Sequence, residues 1–111
     1  MPNYMLLLKG GEYKGHSPEE MQKILEKYMA WSSKLRSEGR YKAGEELNKT
    51  GRVLRWQGNQ VVDGPYTETK EAVGGFYLIE AKDYQDAVSI SRDCPHLEFH
   101  GEIEIHETIP H

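Results

Sequence analysis

Between Asp63 and Glu71 the chain reads DGPYTETKE, and an apolar run follows it after a glycine pair. Carboxylates, hydroxyls and an ammonium placed against apolar surface are the side chains that acid–base chemistry or ligand capture requires. Asp63 is the first candidate. It sits at the end of QVVD, where an alternating strand brings it onto the same face as Leu54, Trp56 and Val61. Desolvation there raises a carboxylate pKa and suits it to general acid or base work. The competing reading is local: an aspartate before Gly-Pro accepts hydrogen bonds from following backbone amides and fixes the loop.

Glu68 and Lys70 are the next candidates, with Lys70 suited to holding an anionic group and Thr67 or Thr69 to capping a short turn. Glu46 is expected to share a pocket with Asp63 if its side chain faces the same cleft, one carboxylate keeping the other protonated. Trp56 and Tyr77 supply the aromatic wall of a pocket on an uncovered sheet face. The histidines, His16, His96, His100, His106 and His111, follow no metal-ligand spacing, and the single cysteine, Cys94, cannot complete a thiolate set. No metal and no cofactor is expected. Gly10-Gly11 and Gly74-Gly75 lack the strand–glycine–helix layout of a phosphate cradle.

These side chains need elements to position them. Tyr4 to Lys9 is a short apolar run with the length of a buried strand. SPEE, from Ser17, is a helix start: Ser17 caps, Pro18 suits the first turn and Glu20 closes a capping box. Met21, Ile24, Leu25, Tyr28, Trp31 or Ser32, and Leu35 then recur at helical spacing as a buried face, and Gly39 ends the helix near Glu38. Tyr41 to Leu47 reads as a strand. RVLRWQ and QVVD around Gly58-Asn59 read as a hairpin pairing Gln57 with Gln60, Trp56 with Val61 and Leu54 with Asp63. GFYLIEA is the most strand-like run. Asp83 caps a second helix that Pro95 stops, and GEIEIHETI alternates with Ile103 and Ile105 inward.

The order predicts an α+β fold: a ferredoxin-like βαββαβ sandwich with an antiparallel sheet and two helices on one face. At 111 residues the chain is a single domain, 1–111, with no linker or repeat. The other sheet face keeps apolar side chains, and leaving it in water forgoes burial at about 25 cal/mol per Å². A homodimer pairing those faces is the expected remedy. A formal charge of −4 argues against a nucleic-acid binder. The N-terminal apolar run is too short for a signal peptide or a membrane span, and one cysteine suits a reducing compartment, so the protein is expected in the cytoplasm, off the membrane.

The segment VVDGPYTETKEAVGGFYLIEA resembles the hallmark of the YCII-related group named for its Asp-Gly-Pro-Phe motif, with Tyr66 at the Phe position. YMLLLKG, WSSKLRSEGRYKAGEEL and GEIEIHETI extend the resemblance over nearly the whole chain. The resemblance implies a dimeric α+β barrel in a bacterial cytoplasmic protein, with genes often near those of extracytoplasmic-function sigma factors, and it carries no reaction with it. The wider superfamily's His–Asp pair falls here on Tyr28 and Cys94, neither of which replaces its counterpart. Two functions stay open: a homodimer binding a small organic ligand on the sheet face, with acid–base chemistry by Asp63, and a non-catalytic regulatory or protein-interaction module.

Overall fold

A computed structural model of the chain describes residues 1–67, 69 and 71–111. Strand β1, Asn3–Gly10, alternates as expected: Tyr4, Leu6 and Leu8 are buried while Met5, Leu7 and Lys9 face the other way. Helix α1, Pro18–Ser37, begins with the reciprocal Ser17–Glu20 capping box and ends where Gly39 takes φ 73°. Strand β2, Tyr41–Glu46, follows directly, and a hairpin of β3, Arg52–Gln57, and β4, Gln60–Pro65, comes next. Then come β5, Val73–Glu80, α2, Tyr84–Arg92 capped by Asp83, a 3₁₀ turn Pro95–Phe99, and β6, Gly101–Glu107.

Four strands make one antiparallel sheet in the order β2-β5-β1-β6. With the hairpin set aside, this is the strand order of a ferredoxin-like βαββαβ sandwich, as the element order predicted. Tyr4 stands across from Ile79 and Leu6 across from Tyr77 and Ile105. These residues, with Leu8, pack against Trp31 and Leu35 of α1, Ala87 of α2 and Cys94 to form the core. Trp31 also donates its indole N–H to the Ile90 carbonyl at 3.4 Å, tying α1 to α2. Both helices therefore cover one face, and the backbone spans only 18 Å in its thinnest direction. The opposite face carries Met5, Leu7, Phe76, Leu78 and Ala43, each partly buried within this chain.

Three expectations need correcting. The hairpin has the predicted register, Leu54 with Asp63 and Trp56 with Val61, yet it forms its own two-stranded sheet instead of extending the main one. It projects as an arm: the radius of gyration is 16.1 Å, against about 13 Å for a compact chain of this length. Trp56 is therefore not on the uncovered face of the main sheet, and neither is Tyr77. The register across from Leu6 turns Tyr77 toward the helices, where it meets the Trp31 ring edge-on at 4.9 Å. Finally, Met21 and Leu25 stay largely in water, because only Ile24, Trp31, Ser32 and Leu35 of α1 are buried. The helix rolls so that its Met21–Leu25–Met29 stripe overhangs the β2 edge of the sheet.

Candidate functional site

Under that overhang lies a cavity of about 380 Å³, bounded by α1, the β2–β5 edge and the loop after β1. Its wall is largely aromatic and aliphatic, with Leu8, Ile24, Leu25 and Tyr77 among its residues. Three of its polar groups converge from distant parts of the chain. Tyr13 comes from the loop after β1, Tyr28 from α1 and His96 from the 3₁₀ turn.

The three side chains form a hydrogen-bonded line. Tyr28 Oη lies 2.6 Å from Tyr13 Oη, and Tyr13 Oη lies 2.5 Å from His96 Nδ1. The other ring nitrogen, His96 Nε2, is 2.8 Å from the Lys9 carbonyl oxygen. A carbonyl only accepts, so Nε2 carries the proton and Nδ1 of the neutral ring is the acceptor. Tyr13 then donates to Nδ1, and its oxygen accepts the hydrogen bond donated by the Tyr28 hydroxyl. The whole line is ordered by one backbone carbonyl: Tyr28 to Tyr13, Tyr13 to His96, His96 to Lys9.

Burial reinforces that order. His96 is only 4% exposed, and desolvation holds its pKa below the ordinary histidine value, keeping the ring neutral. Burial first, then the hydrogen bond to Tyr13, pushes the Tyr28 hydroxyl well up, so it stays protonated. Tyr77 is raised to about 12, chiefly by burial, and the Cys94 thiol to about 11 for the same reason. Cys94 is thus a buried core thiol that stays protonated at neutral pH.

Glycines make room for these rings. A Cβ on Gly101 would run into the His96 ring, and one on Gly11, which has φ 104°, would strike Tyr13 and crowd His96. At Gly44 of β2 an added Cβ would meet the Tyr77 ring at 2.6 Å. The side chains and the backbone that admits them are therefore parts of one arrangement.

The candidates read from sequence divide. Glu46 and Tyr77 line the cavity, and Glu46 is close enough to raise the Tyr13 pKa after the larger effect of burial. Asp63 and Trp56 stand on the hairpin arm, so Asp63 and Glu46 do not share this cavity. The Asp63 carboxylate takes a paired contact from Arg52, Nε to Oδ1 at 3.1 Å and Nη2 to Oδ2 at 2.5 Å. Its side chain is 46% exposed, so the desolvation expected of a general base is absent in this chain. Among the described residues its side-chain partner is that guanidinium, in place of the following backbone amides. Glu68 and Lys70 lie outside the described residues. His16, His100 and His106 each face a separate carboxylate, Glu20, Glu12 and Glu104.

Tyr13 and His96 were missed in the sequence because 83 positions separate them. The available signal was weak: Gly10-Gly11 beside Tyr13, and a histidine directly after Cys-Pro with Gly101 five residues on.

A two-layer α+β domain with a tyrosine- and histidine-lined cavity at one sheet edge is the class that fold and site define. The YCII-related domain matches residues 3–110, so the chain belongs to the YCII-related family. It is also similar to an uncharacterized protein of Rhizobium meliloti (strain 1021), 48% identical over 33 residues, which is 30% of this chain and 27% of the relative's length. Tyr28 belongs to the cavity cluster, and buried Cys94 lies two residues before His96.

Proposed function

We propose that this protein binds a small organic molecule in the cavity between α1 and the β2–β5 edge. The observation that carries the reading is the Tyr28–Tyr13–His96 line, ordered and desolvated at the wall of an apolar cavity. An apolar pocket with a few convergent polar groups is the usual form of a small-molecule site. Binding accounts for the line better than acid–base catalysis does, because burial makes His96 a weaker base than a free histidine. Asp63 is assigned the structural task of holding the arm's two strands with Arg52. The test is a fragment screen followed by amide chemical-shift mapping. Shifts should gather at Tyr13, Tyr28, Tyr77 and His96, and shifts confined to residues 52–65 would sink the reading.

The protein acts as a homodimer in this proposal, joined through the open sheet face of Met5, Leu7, Phe76 and Leu78. Sedimentation should give a dimer, and Phe76→Glu should give a monomer that remains folded. An unchanged dimer in that variant counts against the interface. A second reading, a protein-interaction or regulatory module, has its own support in the arm, where Leu54, Trp56 and Val61 are exposed on one face.

A further inference from the structure

The polarity of the hydrogen-bonded line bears on what the cavity takes, an inference that rests on the binding function proposed above. The Lys9 carbonyl commits the His96 proton, His96 Nδ1 commits the Tyr13 proton, and Tyr13 commits the Tyr28 proton. Tyr28 Oη, the first donor of the line, receives no hydrogen bond from it and keeps lone pairs for a ligand. The mouth carries a second acceptor, the Glu46 carboxylate. Register places Glu46 across from Gly75, on the helix side of β2, whereas Glu45 stands across from Phe76 and belongs to the opposite face. Among the described residues the lining contains no lysine or arginine.

Aromatic rings complete the pattern. Tyr28 and Tyr77 contribute to the wall, and ring faces attract cations. The chain already uses this attraction at the back of the same wall, where the Arg36 guanidinium lies 4.1 Å above the Tyr41 ring. Arg36 is the nearby positive charge that works against a cationic ligand; it is engaged with Tyr41 and is not part of the lining. The hydroxyl of Tyr77 turns to donate or accept and favours neither sign.

We infer that the cavity selects an organic cation: an ammonium group directed at Glu46 and Tyr28 Oη, carried on an apolar body that lies against the aromatic wall and the Leu25–Met29 overhang. A carboxylate of the same size would meet one carboxylate and one committed hydroxyl.

The test uses three size-matched probes, phenethylamine, 2-phenylethanol and phenylacetate, titrated calorimetrically into the full-length protein at pH 7.5. The amine should bind most tightly and the carboxylate least, at least about tenfold apart, the scale of a desolvated charge-assisted hydrogen bond. Glu46→Gln should weaken the amine about 3- to 10-fold and the alcohol by clearly less. Because Glu46 is exposed, that variant should fold normally, and its melting temperature provides the control. Equal binding of all three probes, or tighter binding of the carboxylate, overturns the charge preference while the cavity stands. Binding by none of them removes the preference and the binding function together.

Discussion

The molecule holds two clusters of polar and aromatic side chains, and they differ in how they are built. On the hairpin arm, Asp63, Arg52, Leu54 and Trp56 come from a continuous stretch of chain and share a face because strand register puts them there. In the cavity, Tyr13, Tyr28, Tyr77 and His96 come from a loop, a helix, a strand and a 3₁₀ turn. The arm leaves its groups in water: Trp56 is 73% exposed, and an isolated two-stranded hairpin contributes little stability of its own. The cavity cluster removes its groups from water, and each buried polar atom there has a partner. A polar cluster becomes chemically distinctive through desolvation, and composition does not reveal where desolvation falls.

The sharpest way to break this contrast is Gly101→Ala. The added methyl enters the space of the His96 ring, so the ring must move and the bond to the Lys9 carbonyl is lost. We expect a loss of about 2–3 kcal/mol, read as a melting temperature lower by roughly 10 °C. A drop under about 2 °C would show that His96 is not held as described. Tyr28→Phe comes next. It deletes the outer hydroxyl but leaves the Tyr13–His96 bond, and chemical denaturation should show a loss of about 1 kcal/mol.

The pH dependence follows from His96. Its folded pKa is depressed, so the unfolded chain binds the proton more readily. The stabilisation is complete above the unfolded value near 6.5 and is lost as pH falls through the lower folded value. Melting temperature should therefore fall as pH drops from 7.5 towards 5, and His96→Asn should flatten that slope. The carboxylates held low by partners, such as Glu104 at about 2 beside Lys9, respond only at more acidic pH and leave this window clear. An equal slope in wild type and variant would assign the effect elsewhere.

The smallest effect belongs to the arm. Asp63→Ala removes an exposed ion pair worth about 0.2–1 kcal/mol, so its melting temperature should fall by at most about 4 °C. Cavity binding should not change. Reduced probe affinity in Asp63→Ala would join the two regions and erase the distinction drawn between them.

Much of the fold was legible because its causes are local. Ser17 and Glu20 cap a helix through groups three residues apart, Asp83 does the same for the second, and the Gly58-Asn59 turn sets the pairing of Leu54 with Asp63. The candidate site was legible only in part. Glu46 and Tyr77 were found because alternation put them on strands, yet the face assigned to Tyr77 was wrong. Apolar alternation marks two faces without saying which one receives the helices. Trp56 and Asp63 were placed on one face correctly, but whether that face is covered depends on packing that no hairpin pattern encodes.

Periodicity, caps and turn chemistry in these 111 residues therefore determined the elements, their order and the hairpin register. Folding alone decided that the hairpin stands off the sheet, that α1 rolls to leave an overhang, and that Tyr13 meets His96 across 83 positions. The protonation order of the cavity was decided there too, by a single backbone carbonyl at Lys9. A backbone carbonyl is the same in every residue, so its effect on a distant imidazole exists only once the chain has brought the two together.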